Sequence, residues 1–293
     1  MPARTMTAQL ITTGLCAEAV VGFADLLQGR ASGTLGDDYF ARDWNPLWHE
    51  LVRDGWTVIA DPPDSEFSLY DLTAFAQVWG RYLVPLPFIT TLAVRRSADT
   101  EPEPEIRLSY LVAEMGAGLV PFGAQASQVL TADGLVPAPT PAGSDDWAAS
   151  APIALVDARP GPAPAAVRAD GAILAAAEAV GAATTTLEHA VAYAKVREQF
   201  GQPIGAFQAV KHRLANMHCS AELAASALAW ACSEPEHADR ALRAALEHCL
   251  LVAEQSVQVH GGIGYTWEAD PHRFYRHIMS MRRIVLAAVG ERA

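Results

Sequence analysis

Lys195-Val196-Arg197-Glu198-Gln199-Phe200-Gly201-Gln202-Pro203-Ile204-Gly205-Ala206-Phe207-Gln208 is the stretch that decides the fold of this chain. About fifty residues later it is answered by Gln258-Val259-His260-Gly261-Gly262-Ile263-Gly264-Tyr265. An apolar-periodic helix closes in Arg-Glu-Gln-Phe-Gly, passes through a short Gly/Pro turn and reopens as a new helix at Phe207-Gln208. An arginine, a glutamine and a phenylalanine then stand together at one helix end. That set suits a dinucleotide, with a guanidinium for pyrophosphate, amides for ribose or adenine and an aromatic face for a ring. A plainer reading makes Arg197 a C-terminal charge that meets the helix macrodipole, and Gly261-Gly262 a helix C-cap. It explains each motif separately, whereas the cofactor reading explains why both occur.

Working outward, four helices are expected, over residues 171–199, 206–233, 236–260 and 272–289. The first three are long, alanine-rich and apolar on more than one face, as in a bundle interior or a bundle that also packs on another subunit. Toward the N-terminus, Trp44, Leu47, Trp48, Leu51 and Val52 recur at helical steps before Gly55. Leu69, Leu72, Phe75, Ala76, Trp79 and Leu83 do the same before Pro85. Glu101-Pro102-Glu103-Pro104-Glu105 reads as an acidic linker. After it come short apolar runs at 108–112, 128–130 and 153–156, separated by Gly, Pro and Asp, which predict a small β-rich segment. The expected division is a helical domain over 1–100, a shortened β segment over 101–165 and a four-helix bundle over 166–293. The fold class is mostly α.

Composition narrows the function. Thirty-three acidic against 21 basic residues give a net charge of −12, which argues against nucleic acid or an anionic membrane as the main partner. Cys16, Cys219, Cys232 and Cys249 contain no Cys-x-x-Cys pair and read as reduced packing residues of a cytoplasmic protein. The run 10–23 holds Glu18 and lacks a basic start, so it reads as an amphipathic helix rather than a signal peptide. No apolar run reaches the ~18 residues of a membrane span. No metal is expected, because His212 and His218 lie on different helix faces and His272 and His277 have no ligand pair nearby. Nucleophile-elbow, Walker and Rossmann fingerprints do not occur.

Helical region, β segment and bundle, with Arg-x-x-Phe-Gly after the bundle's first helix and Gln-x-x-Gly-Gly-x-Gly-Tyr after its third, resemble the acyl-CoA dehydrogenase family. About 120 C-terminal residues carry most of the match. Gly55-Trp56 and residues 80–87 are similar to the family's N-terminal helical domain. The resemblance implies FAD shared between subunits, its adenosine diphosphate end crossing to a neighbour's bundle. Arg197 would then meet the pyrophosphate, and Gln199 and Phe200 would flank the adenosine. Gln208, Gln258, Gly261 and Gly262 would complete the cleft, the glycines because a Cβ would block close approach.

The family reaction also needs a glutamate base. One family position falls in Met281-Arg282-Arg283-Ile284-Val285-Leu286-Ala287-Ala288, which holds no acid, and the other falls on Gly171. Asp170, one residue away, is the candidate for a displaced base, although a one-residue step turns a side chain by about 100° on a helix. It also reads as an N-cap ahead of Gly171. Glu291 lies several residues past the first position. Glu268, after Trp267, reads as fixing a loop or a subunit contact.

The middle segment is abbreviated. Residues 114–120 offer the start of the loop that lines the substrate entry in the family, and Ser144-Asp145-Asp146-Trp147 has suitable residue types but sits in a Pro/Gly-rich loop and is not equated with it. The resemblance therefore implies a subunit of a heteromeric acyl-CoA dehydrogenase. A longer partner would carry the catalytic glutamate in an α2β2 assembly, as in actinobacterial enzymes of the family that act on steroid side-chain CoA thioesters. Two alternatives stay open. One is a self-sufficient homo-oligomeric enzyme using Asp170, and the other is a flavin-free scaffold or CoA-ester binding protein of the same fold.

Overall fold

The computed structural model describes residues 14–290, apart from 34, 63–64, 99–101, 115–116, 146 and 158–160. Glu101 of the acidic linker, Met115-Gly116 of the loop reading, Asp146, Glu291 and the first residues of the 10–23 helix lie outside them.

The spine is a helix of 32 residues, Ala165–Val196, about 48 Å long at 1.5 Å per residue. Residues 171–183 are buried without a break, so this stretch is hydrophobic all round rather than amphipathic. Around it stand α1 (Gly14–Ala31), α2 (Asp37–Ala41), α3 (Asn45–Arg53), α4 (Leu69–Gly80) and α5 (Phe88–Ser97) on the N-terminal side. With the spine as α6, the bundle is completed by α7 (Gln208–Ser233), α8 (Ala238–His260) and α9 (Pro271–Val289). Thr186 Oγ1 donates to Ser256 Oγ at 2.9 Å, and the rings of Tyr193 and His260 stack at 4.4 Å. The two pairs put the C-terminal ends of α6 and α8 side by side.

Two glycines let α4 and α6 cross closely. A Cβ on Gly181 would collide with the Gln77 carbonyl, and one on Gly80 with the Glu178 carbonyl. Elsewhere α4 is set by sequence-local chemistry. Ser68 and Asp71 form a reciprocal capping box, and Phe23, Trp56, Phe75, Trp79 and Phe88 make one aromatic cluster. The helix α5 is absent from the sequence expectation. Phe88 to Arg95 are all buried, so no polar face marks a helical period, and its β-branched Ile89-Thr90-Thr91 start imitates a strand.

Among its described residues the middle segment holds seven strands, β1 (Leu108–Tyr110), β2 (Val112–Glu114), β3 (Ala117–Pro121), β4 (Gln128–Thr131), β5 (Gly134–Pro137), β6 (Gly143–Asp145) and β7 (Ile153–Asp157). They form two sheets, β1-β4-β5 and β2-β3-β7-β6, with only β1 and β4 parallel. Two expectations are corrected. The loop expected over 114–120 includes β3, which pairs with β2 through Glu114↔Ala117. The Ser144-Asp145 stretch is strand β6, paired with β7. Both strands are short and Gly-containing, which hid them from periodicity.

The ends of α6 also differ from expectation. The helix begins six residues before Gly171, with Pro164 at its N-cap, so Asp170 caps nothing. It stops at Val196, not Gln199. Glu198–Gln199 and Gln202–Pro203 are β8 and β9 of a minimal hairpin, with Phe200 at φ 54° and Gly201 at φ 79°, the positive pair of a type I′ turn. Among the described residues no helix is long and apolar enough to cross a membrane. Cys16 and Cys249 are fully buried, and burial pushes each thiol up to about 12. Cys219 is exposed.

Candidate functional site

At one end of the bundle the chain brings together the C-termini of α6 and α8 and the N-termini of α7 and α9. The β8–β9 hairpin is tied back to α6, because the Ile204 N–H donates to the Arg197 carbonyl at 2.7 Å. Gly205 passes so close to α6 that a Cβ would lie 2.9 Å from the Ala194 carbonyl. Phe207 caps α7, and its ring meets Phe200 edge-on at 6.1 Å. On the α8 side, Gln258 Nε2 donates to Tyr265 Oη at 2.6 Å.

Arg197, Gln199, Phe200, Gln208, Gln258, Gly261 and Gly262 all lie on this end, and all seven are exposed. Phe200 is 92% exposed. Arg197 has no ion pair among the described residues, and Gln199 Nε2 reaches only the neighbouring Glu198 carbonyl at 2.7 Å. Gly261 is the C-cap of α8 at φ 65°, as its plainer reading predicts. A Cβ built on Gly261 or Gly262 meets no atom within 4 Å, so the space before both is unfilled by protein. A guanidinium, an aromatic face, amides and an open glycine backbone are the donor set that a dinucleotide requires, and the residues present fit the adenosine diphosphate part of FAD. Burial holds His260 and His272 at this end below the usual imidazole value.

Two clefts run along one face of α9. The first, about 610 Å³, is lined by Gln258, Tyr265, His272 and Arg276, with Trp147 as its far wall. The second, about 520 Å³, lies beyond Trp147, between α9 and the β segment. Its α9 side is Arg282, Arg283, Leu286 and Ala287, the stretch where the family's first base position falls. No carboxylate comes from the helix. Instead Glu114 reaches in from β2 and takes Arg283 in a charge-assisted fork, 2.7 Å from Nη2 and 3.1 Å from Nε. By sequence alone Glu114 stands only at the start of a loop. Its strand register, Glu114↔Ala117 beside a helix 169 residues away, leaves no local signal.

The second base position is filled. Any side chain on Gly171 would strike the Tyr110 hydroxyl, which is fully buried, as is the tyrosine itself. Asp170 points to α5, where it accepts from the Ser97 hydroxyl and pairs with Arg96 Nε at 3.3 Å. Burial raises its carboxyl above the usual value despite both partners. It lines neither cleft along α9.

A further cluster was missed from sequence. His277 on α9 places Nδ1 2.9 Å from Ser150 Oγ and Nε2 3.2 Å from Glu178 Oε1 on α6. All three side chains are buried, so no substrate reaches them and the cluster fastens α6, α9 and the loop before β7. Glu178 inside an alanine run was its one visible sign.

The bundle matches the family described as acyl-CoA dehydrogenase, C-terminal domain, over residues 169–284. The chain is similar to acyl-CoA dehydrogenase IpdE2 of Mycobacterium tuberculosis, 46% identical over 107 residues, which are 36% of this chain and 34% of that protein. It thus spans about a third of that relative's length. The whole fold is similar to the ChsE4-ChsE5 complex from Mycobacterium tuberculosis, with a TM-score of 0.71, 20% identity and 95% of each chain covered. It is also similar to the Tcur3481-Tcur3483 steroid ACAD, with a TM-score of 0.68, 22% identity and coverage of 94% and 96%. The bundle over residues 169–284 thus carries the likeness of this chain to the acyl-CoA dehydrogenase family.

Proposed function

We propose that this chain is the shortened subunit of a heteromeric, FAD-dependent acyl-CoA dehydrogenase of actinobacterial type, working in the cytoplasm. Its bundle end would hold the adenosine diphosphate part of FAD, and a longer partner would supply the flavin-ring pocket and the glutamate base. The observation that carries the reading is the pairing of an intact bundle end with two lost base positions. Arg197, Phe200, Gln258 and Gly261-Gly262 stand open to solvent, while one base position is a pair of arginines and the other is closed by Tyr110. The fold likeness to two assemblies of unlike chains supports a partner subunit.

FAD held there would supply the hydride acceptor for oxidation of the α,β bond of an acyl-CoA thioester. This chain's own residues do three things in that scheme. Arg197 neutralises the pyrophosphate, a bidentate task that lysine does not replace. Phe200 and Phe207 present apolar faces to the adenosine, and the open glycine backbone allows close approach with its N–H groups available. Abstraction of the α proton is left to the partner. A steroid side-chain thioester is the proposed substrate class, by analogy with the Tcur3481-Tcur3483 steroid enzyme.

The test is the visible spectrum and native mass of the chain alone and co-expressed with a longer homologue. Colourless alone and yellow as a heteromer, with one FAD per pair of unlike chains, is the expected result. In the heteromer, Arg197→Ala releases FAD, whereas Asp170→Asn changes neither FAD content nor activity. Full FAD retention in the arginine variant would refute the half-site, and activity lost with Asp170→Asn would favour the self-sufficient enzyme.

A further inference from the structure

The turn between α8 and α9, which carries Gly261, Gly262 and Tyr265, has little of its own to hold it. Of residues 261–270 only Gly264 is buried, and a segment with so few buried contacts opens easily unless something outside it fixes its position. Within the turn the Thr266 hydroxyl donates to the Ile263 carbonyl at 2.9 Å, which folds the chain on itself without attaching it to the body of the molecule. Gln258 ties Tyr265 to α8. The other attachment is Arg273, in the first turn of α9 and only 7% exposed. Its guanidinium lies 5.1 Å from the Trp267 ring centroid and 5.5 Å from that of Phe40 in α2. Nη2 donates to Asp37 Oδ1 at 3.2 Å and reaches the Trp267 carbonyl at 3.5 Å. Arg276 comes within 5.3 Å of the same indole but is shared with Trp147 at 4.9 Å. Trp267 and Asp37 are themselves mostly in solvent, so a buried cation holds groups that lie outside it. Burying a guanidinium beside a wet carboxylate gains the fold little, and the side chain is better explained by what it fixes in place.

We propose that Arg273 is a positioning residue of the dinucleotide end. Anchored on Asp37 of the N-terminal helical region, it grips the Trp267 end of the turn and so keeps the backbone of Gly261-Gly262 and the Tyr265 ring in register with Arg197 and Phe200 across the bundle end. The inference rests on the FAD half-site proposed above. Arginine suits the task because one planar group stacks on an indole and donates from its edge at the same time, which a lysine ammonium does not. Cofactor retention in this subunit then depends on α2, a helix that contributes no residue to the bundle end.

Hydrogen–deuterium exchange of the full chain and FAD titration of the heteromer test it together. In Arg273→Met the amides of 261–270 should exchange about tenfold faster while those of α6 and α8 keep their rates, since local opening leaves the helix core closed. FAD should bind the heteromer about tenfold more weakly, through the lost pre-organisation. Arg273→Lys should fall between parent and Met variant. Asp37→Asn, at a side chain with no burial at stake, should show the same local pattern at smaller size, and it decides the matter if the Met variant does not fold. Arg197→Ala is the control for the half-site itself: it should release FAD and leave exchange over 261–270 at the parent rate. The proposal is overturned if the turn keeps its parent exchange rate in the folded variants, or if faster exchange spreads over the whole chain, as from a plain staple between α2 and α9. It is also overturned if the turn loosens with FAD affinity unchanged while Arg197→Ala releases the cofactor. FAD retained in Arg197→Ala as well would strike the half-site, and this inference with it.

Discussion

Phe200 carries a large ring into solvent on a backbone at φ 54°, a conformation that costs a bulky L-residue about 1–2 kcal/mol. Folding gains little from that ring, since most of its surface stays wet, so the strain is explained by what the ring presents rather than by what it packs against. Phe200→Gly is expected to leave the stability of the isolated chain unchanged or raised by up to about 1 kcal/mol, the relieved strain offsetting glycine's extra unfolded-state entropy. The same change should lower FAD retention in the heteromer. Urea unfolding beside a flavin assay separates the two effects, and a clear loss of stability would show that the ring packs after all. His260 offers a second test at this scale. Burial keeps its folded value below 6.5, so the unfolded chain takes up the proton first as pH falls. The stability contributed by the neutral ring is complete above about 6.5 and is lost on acidification down through the depressed native value. His260→Gln should therefore bring the urea midpoints at pH 7.5 and 5.5 closer together than in the parent, and an unchanged gap would argue against the buried neutral imidazole.

At the scale of elements, the crossing of α4 and α6 depends on two backbone surfaces meeting where no side chain fits. Gly181→Ala pushes a methyl against the Gln77 carbonyl. Neither backbone can yield without moving its helix, and about 1–3 kcal/mol of destabilisation is expected from overpacking. Alanine's better helix propensity, about 1 kcal/mol, would give a gain if the crossing were loose, so the sign of the change in thermal midpoint decides the matter. Legibility from sequence follows the same physics. The four bundle helices and α4 were readable because each is long, and α4 also carries its capping box. The helix α5 was not, being buried on all sides, nor were β3 and β6, which are three to five residues long and owe their existence to partners along the sheet.

Across the whole molecule, the buried Glu178–His277–Ser150 cluster joins three parts of the chain that are distant in sequence, α6, α9 and the loop before β7. His277→Phe should cost about 3 kcal/mol, since it strands a buried carboxyl. The double variant Glu178→Met/His277→Phe should recover much of that loss, because an apolar pair of similar volume needs no partner. Denaturant unfolding of the single and double variants gives the coupling, and additive losses would mean that the two residues act separately.

The sequence by itself determined the mostly α class, the bundle and its turn, and the residues gathered at the bundle end. Those features rest on local periodicity, on glycine and proline punctuation, and on motifs whose chemistry lies within a few neighbouring residues. Only the tertiary structure decided that the helix gives way to a strained hairpin at Phe200, and that Asp170 serves α5 rather than capping α6. It also decided that Tyr110 fills the space beside Gly171, and that Glu114 comes to rest on Arg283. Each of those outcomes depends on a contact between residues distant along the chain or on a backbone turn that local periodicity does not encode. Such contacts are selected by packing and burial, which no local pattern of residues records.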